Sequence, residues 1–242
     1  MGVDYSYQVY VPHRAVGRFL RNVAALSRND GTGTTVLLPD GTEVLLPGTY
    51  GFEAGRTVEW ADVIAASSFD LSPCFPADAP LREFDAMYGG TAHPWPDGTV
   101  RYSVAYTYLM VFDGSELLPE HSIFDFTPAT TGQSQLFLRS PSIRRTFADL
   151  AMSVGAPLCL LDVEEDFHVV VTARDRALSI RVPGPCVLWD RGARAAEAYR
   201  ELSAEPTPEG RWIIGPDHPG YAAFAASVAR HSGVAGTVTP PR

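Results

Sequence analysis

The most specific arrangement of chemically useful side chains is an acidic turn between two apolar runs, LCLLDV and FHVVV. If residues 164–166 (EED) form the turn of a hairpin, Asp162 lies opposite His168 on the same face. A carboxylate beside an imidazole orients the ring and favours its charged form, as acid–base catalysis requires. The alternative is an exposed cross-strand ion pair on a solvated hairpin, because no neighbouring residue supplies a nucleophile.

A further candidate for catalysis is His93, in the segment AHPWP. It belongs to residues 69–98, which are dense in proline, glycine and aspartate but also rich in aromatic side chains, so we expect an ordered loop. A cleft covered by this loop, with His93 or the pair Asp162 and His168 inside it, would indicate a small-molecule enzyme. No histidines have the spacing of a zinc site, so the sequence predicts no metal and no cofactor.

Aromatic residues dominate the candidates for binding. The alternation in RYSVAYTYLMVF predicts one continuous strand from residue 99 to residue 112, with Tyr102, Tyr106 and Tyr108 on one face. Such a face is typical of a core, and a ligand cleft or an interface is the alternative because tyrosine suits both. Trp95, in the neighbouring aromatic-rich segment, is a further binding candidate.

Two arginines on predicted helices are the remaining binding candidates. Arg18 belongs to an arginine stripe beside the apolar stripe of residues 13–27, and Arg145 occupies a similar place in the later helix 141–154. A guanidinium suits a phosphate or an acidic partner. Pairing with acidic residues of the same chain and simple solvation are the alternatives.

Several kinds of chemistry are excluded by composition. All 19 basic residues are arginines, so a P-loop lysine, a Schiff-base lysine and a lysine general base cannot occur. No dinucleotide-binding, nucleophile-elbow, zincin or EF-hand motif is present. The absence of lysine, together with abundant alanine, glycine and proline, indicates a coding bias of the kind found in GC-rich bacterial genomes.

The distribution of charge favours a basic partner. The formal net charge is −9, and residues 30–120 contain 14 acidic residues against 3 arginines. An acidic middle argues against nucleic-acid binding and suits a basic protein, although solvated acidic loops are the alternative. No apolar run is long enough to span a membrane and no signal peptide is visible. The three cysteines lack CxxC spacing, which predicts a reducing cytoplasm.

The elements that carry these residues predict an α+β fold, mostly an antiparallel sheet with helices packed on one face. Residues 135–173 read as strand, helix and hairpin: QLFLRS is an apolar strand, Ser140 and Pro141 start a helix, and Gly155 ends it. Asp40 and Gly41, between the apolar runs of TTVLLPDGTEVLLPG, predict a hairpin, and TVEWADVIAAS predicts a strand that runs into a short helix. Residues 8–27 align with residues 135–154 without a gap. This similarity predicts two related β-α-β-β halves.

Together these patterns predict an N-terminal half over residues 1–128, with an irregular insert at 48–98, and a C-terminal half over residues 129–242 ending in two helices. A single domain is the alternative. The function we expect is that of a non-catalytic binding protein of the bacterial cytoplasm, which neutralises or scaffolds a basic protein partner. The alternatives are the small-molecule enzyme described above and a structural subunit that buries its tyrosine face in a symmetric oligomer.

Overall fold

A computed structural model describes residues 5–28, 32–47, 55–66, 68–115, 118–156, 158–162, 168–171, 178–181 and 188–189. In chain order its strands are β1 (Ser6–Pro12), β2 (Thr34–Leu37), β3 (Glu43–Leu46), β4 (Thr57–Glu59), β5 (Ser68–Leu71), β6 (Cys74–Pro76), β7 (Ala92–Pro94), β8 (Val100–Ser103), β9 (Thr107–Ser115), β10 (Leu118–Pro128), β11 (Leu158–Asp162), β12 (His168–Val171), β13 (Leu178–Arg181) and β14 (Leu188–Trp189). Its helices are α1 (Val16–Ala24), α2 (Trp60–Ala66), α3 (Ala79–Tyr88), α4 (Thr131–Arg139) and α5 (Pro141–Val154), with a short 3-10 helix at His13–Ala15.

The main sheet has six strands in the order β14-β11-β1-β10-β9-β5, and neighbouring strands are antiparallel. It joins strands from residues 1–128 with strands from residues 129–242. Helices α1, α4 and α5 contact β1, and their apolar sides are buried in one core. The predicted α+β class, with antiparallel strands and helices on one face, is confirmed.

Strand β1 shows why the core lies on that face. Tyr7, Val9 and Val11 alternate along the strand and are fully buried. On this face, the ring of Tyr7 stacks on the ring of Phe147 in α5, and the two ring centroids lie 4.2 Å apart. Phe126 of β10 meets the same phenylalanine edge-on at 5.0 Å. The side chains that β1 places on this face at every second residue therefore pack against the apolar side of α5.

Helix α5 begins and ends where the sequence predicts. The hydroxyl of Ser140 accepts a hydrogen bond from the Ile143 N–H at 3.1 Å, and Pro141 occupies the first turn. Gly155 has φ 66°, so it ends the helix in the left-handed conformation that glycine tolerates best. The acidic residue Asp78 joins this start to another helix, because its Oδ2 accepts from the Ser142 N–H at 3.0 Å while its Oδ1 caps α3.

The predicted strand at QLFLRS is wrong, because these residues lie in α4. Thr130 caps the helix, and Leu136, Phe137 and Leu138 are all buried. A short apolar run buried on every side cannot be assigned to strand or helix by periodicity alone. The alignment of residues 8–27 with residues 135–154 therefore places strand β1 against a helix, and the internal duplication is not confirmed.

The hairpin around Asp40 and Gly41 is confirmed. Strands β2 and β3 pair antiparallel across the turn, where Gly41 has φ 79°. The strand-to-helix transition after residue 56 also occurs, as β4 and α2, and β4 pairs parallel with β2. This small three-stranded sheet packs on α1 through β3.

The predicted continuous strand from residue 99 to residue 112 is wrong. Its first part, β8, belongs to a small sheet with β6 and β7, whereas β9 belongs to the main sheet. The chain turns between them at Tyr106, which has φ 55°. Gln133 donates to the carbonyl of Ala105 at 2.9 Å, and Ala129 donates to that of Tyr106 at 2.9 Å. These long-range bonds satisfy the backbone at the turn, and no local pattern announces them.

Residues 48–98, which the sequence predicted as an irregular insert, contain strands and helices and contribute side chains to the core. The described residues of this segment form β4, α2, β5, β6, α3 and β7, and Phe69, Phe75 and Leu81 are buried. No helix in the described part of the chain is long and apolar enough to cross a membrane.

Candidate functional site

The predicted hairpin that would bring Asp162 and His168 together is not formed by the described strands. Asp162 pairs with Ser6 across β11 and β1, whereas His168 pairs with Arg181 across β12 and β13. The predicted hairpin is therefore wrong as a pairing of β11 with β12. Its tip, residues 163–167, lies outside the described residues, as do the side chains of both candidates. A catalytic role for this pair stays a prediction.

His93 is held by its own neighbours in the small sheet. Its Nε2 lies 3.1 Å from the hydroxyl of Ser103, and its Nδ1 lies 3.4 Å from the guanidinium of Arg28. Burial, and then the positive charge of Arg28, lower the pKa of His93 below its ordinary value. Among the described residues no group of three metal-binding side chains is found.

Trp95 and the two candidate arginines lie apart from one another. The guanidinium of Arg101 covers the Trp95 ring at 4.5 Å, so one aromatic face is already in use. Arg145 is exposed and pairs with Asp149 one turn later at 3.0 Å, as is common on a solvated helix. Arg18 is exposed on α1. A binding role for these residues stays a prediction.

The three candidate tyrosines do not form one row. Tyr102 is half-buried against the core and Tyr106 lies in the turn between β8 and β9. In β9 the buried face is Thr107, Leu109 and Val111. The expectation that the tyrosine face is the core is therefore wrong for β9, where Tyr108 points away from the helices.

That opposite side, which we call the outer face, carries a strip of apolar side chains. Tyr108 and Phe112 are 38% and 48% exposed, and Met110 between them is half-buried. On the adjacent strand, Ile123 pairs with Phe112 and Asp125 pairs with Met110. Aromatic residues of this kind concentrate at protein interfaces.

A buried carboxylate lies in the middle of the outer face. Asp125 is only 6% exposed, and it accepts hydrogen bonds from Gln8 at 2.9 Å and Thr127 at 2.7 Å, with Ser6 more distant at 3.5 Å. No basic side chain of the described residues pairs with it. Burial raises the pKa of Asp125 above its ordinary value, although the three hydrogen bonds act in the opposite direction.

This raised pKa predicts an unusual dependence of stability on pH. The folded protein holds the Asp125 proton more tightly than the unfolded chain, so the carboxyl stabilises the fold below its ordinary pKa of 3.8 and that contribution is lost as pH rises through the folded pKa. In Asp125→Asn the amide stays neutral, and Gln8 and Thr127 can still hydrogen-bond to it. We expect the free energy of unfolding of the variant, minus that of wild type, to increase as the pH rises from about 3 to 7.

Chemical denaturation across this pH range measures the difference. Asp97→Asn is the control with the opposite sign, because hydrogen bonds from Thr99 lower the pKa of the exposed Asp97. That carboxylate stabilises the fold above its ordinary pKa, and the contribution is lost in acid. A difference for Asp125→Asn that does not change with pH would contradict the expected result.

A cavity of about 440 Å³ lies on the other side of the main sheet. The 3-10 helix before α1 contributes His13 and Arg14, the β2–β3 turn contributes Asp40, and α2 contributes Trp60. At its edge the Nε2 of His13 lies 2.9 Å from the Oδ1 of Asp113. This volume is typical of small-molecule sites. The cavity takes none of its lining from residues 69–98, so it is not the cleft that the sequence predicted.

Sequence reasoning missed the pair His13 and Asp113. The available signals were a histidine and an arginine at the boundary between β1 and the first helix, and an aspartate before glycine near the end of β9. These signals are weak because 100 residues separate the two side chains. Only the pairing of β1 with β10, and of β10 with β9, brings them together.

The outer face and the cavity lie on opposite sides of the sheet, since Trp60 of the cavity packs against Phe124 of the core at 6.2 Å. Each combines apolar surface with charge, but the outer face is broad and the cavity is small. No protein-family model, curated protein or solved structure matches this chain. Its function has to be inferred from the chemistry of these side chains.

Proposed function

We propose that this protein binds a basic protein partner in the bacterial cytoplasm through the outer face of its main sheet. The observation that carries the proposal is the buried carboxylate of Asp125, which forms no ion pair with a described residue, within the apolar strip of Tyr108, Met110 and Phe112. A partner that presents an arginine or lysine among apolar side chains is complementary to both features.

Electrostatics favour a basic partner over an acidic one. A carboxylate buried without a cation is costly, and a guanidinium brought by a partner relieves that cost. The charged side chains on the described part of this face are acidic, with Asp70 opposite Tyr108 and Asp125 opposite Met110. An acidic partner would therefore meet charge of the same sign.

Two further observations support the location. Cys74 is a buried free thiol, as is usual in a reducing compartment. The complete absence of lysine accords with a bacterial source. Binding, with the partner neutralised or scaffolded, needs no catalytic group at this surface.

Substitution of Phe112 tests the proposal. Phe112→Arg removes an exposed aromatic side chain and adds a charge that repels a basic partner, so we expect the partner's affinity to fall about 30-fold or more. The full-length protein, immobilised through a terminal tag, is exposed to native lysate at about 0.05 M and about 0.5 M salt. Captured proteins are identified by mass spectrometry, and affinities are then measured with the purified partner.

Leu45→Arg is the matched control. Leu45 is 37% exposed on β3, in the separate three-stranded sheet, so it receives the same charge change away from the outer face. We expect wild type and Leu45→Arg to retain the same basic proteins at low salt and to lose them at high salt. Capture of the same proteins by Phe112→Arg, or of no protein by wild type, contradicts the proposal.

A further inference from the structure

We infer that the cavity at the start of α1 is a binding site for a small zwitterion with an apolar body, of the α-amino-acid class. Two opposite charges line this cavity without meeting. Arg14 has no hydrogen bond or ion pair with any described residue, and Asp40 forms none with Arg14. A ligand that carries both a carboxylate and an ammonium group bridges the two, the carboxylate to Arg14 and the ammonium to Asp40.

The charge on Asp40 is secured by its turn. The backbone N–H of Thr42 donates to Asp40 Oδ1 at 2.9 Å. This bond, and then one from the Thr42 hydroxyl, hold the pKa of Asp40 below its ordinary value. The carboxylate is therefore ionised at neutral pH and available to an ammonium group. Thr42 lies outside the lining, so a ligand does not have to displace it.

The apolar part of the ligand has a surface to lie on. Trp60, Leu38 and Val16 contribute apolar atoms to the cavity wall. Leu38 and Val16 are buried, and Trp60 packs against the core. An indole and two aliphatic side chains suit a ligand with an aromatic or branched side chain. A ligand without an apolar side chain gains little affinity from them.

The His13–Asp113 pair lies beside Arg14 at the edge of the cavity. The carboxylate of Asp113 fixes the imidazole through its contact with Nε2. Adjacent residues His13 and Arg14 both line the cavity. Because the Nε2–H donates to Asp113, the Nδ1 of a neutral ring is an acceptor, so the ligand's carboxylate is bound by Arg14.

The walls are preformed by close packing between α1 and the β2–β3 turn. A Cβ atom at Gly17 would lie 2.7 Å from the Cδ1 of Leu38, so the turn approaches the helix as closely as it does because this residue is glycine. Within the turn, Leu38 donates to the Thr42 carbonyl at 2.9 Å, and Gly41 donates to that of Leu38 at 2.9 Å. Preformed walls reduce the ordering that binding would otherwise require.

Isothermal titration calorimetry of the full-length protein tests the inference with L-phenylalanine as the probe. Phenethylamine lacks its carboxylate, phenylpropionate lacks its ammonium group, and glycine lacks its apolar body. We expect the affinity for each of these three compounds to be lower than that for L-phenylalanine by about tenfold or more. L-leucine and L-methionine extend the test to other apolar amino acids.

Variants assign each charge to its residue. Arg14→Gln should lower the affinity for L-phenylalanine about tenfold and leave the affinity for phenethylamine unchanged. Asp40→Asn should lower the affinity for L-phenylalanine and leave the affinity for phenylpropionate unchanged. Arg82→Gln, on α3 and outside the cavity lining, is the control and should bind as wild type does. All three positions are exposed, so circular dichroism should show intact folds.

Three results would overturn the inference. The first is the absence of binding by all three amino acids at about 10 mM. The second is equal affinity for L-phenylalanine and for its singly charged analogues. The third is unchanged affinity in both Arg14→Gln and Asp40→Asn. None of these outcomes bears on the outer face, which Phe112→Arg tests separately.

Discussion

Phe147→Ala is expected to lower the free energy of unfolding by about 3–5 kcal/mol. Phe147 is fully buried, and its ring meets four others that come from different elements. The centroid distances are 4.2 Å to Tyr7 of β1, 5.0 Å to Phe126 of β10, 5.5 Å to Phe137 of α4 and 6.1 Å to Phe75 of β6. Truncation removes these contacts at once and leaves a cavity that rigid neighbours cannot fill.

Urea denaturation followed by far-ultraviolet circular dichroism measures this loss. Phe112→Ala is the matched control, since the same substitution on the exposed outer face removes little buried area and should cost less than about 1 kcal/mol. If the two variants were equally stable, Phe147 would not be the centre of the core. If the Phe147 variant proves too unstable to purify, Phe147→Leu should show a smaller loss of the same kind.

Asp78→Ala is expected to cost about 2–3 kcal/mol, a large effect for a half-buried polar residue. One carboxylate serves two helix starts. Its Oδ1 accepts from the Leu81 N–H at 3.1 Å in α3, and its Oδ2 accepts from the Ser142 N–H at 3.0 Å in α5. The hydroxyl of Ser140 donates to the same Oδ2. Removal of Asp78 therefore leaves donors of two helices without their acceptor and separates α3 from α5.

A double-mutant cycle with Ser140→Ala tests this link. Because both residues belong to one hydrogen-bonded group, we expect a coupling energy of about 1 kcal/mol. Asp97→Ala is the control, since Asp97 accepts from Thr99 and pairs with Arg101 within one exposed hairpin and links no two helices of the described chain. Additive effects of the Asp78 and Ser140 substitutions would show that the two helix starts are independent.

The sequence was most informative where a few neighbouring residues determine the geometry. Ser140 and Pro141 predicted the start of α5, Gly155 predicted its end, and the Asp40–Gly41 pair predicted the turn between β2 and β3. In each case a cap or a positive φ is a property of the residue itself. Antiparallel strands with helices on one face follow from the same local signals and from the alternation in β1.

Features set by distant parts of the chain were not predictable in the same way. The apolar run around Phe137 is helical because it packs between the sheet and α5, and the turn at Tyr106 depends on bonds from Ala129 and Gln133. The candidate sites have the same origin. The pair of His13 and Asp113, and the burial of Asp125, exist only after β1, β10 and β9 are in register.

The position of β1 has a consequence for folding during synthesis. This strand precedes every other described element of the main sheet in the chain, yet it lies between β10 and β11. Ser6 of β1 and Asp125 of β10, whose side chains lie 3.5 Å apart, are separated by 119 residues in the chain. At about 5–20 residues per second, a ribosome needs several seconds to deliver that partner. Until then both edges of an apolar strand are open to other chains, so we expect the yield of folded protein to depend on chaperones that shield the nascent N-terminal segment.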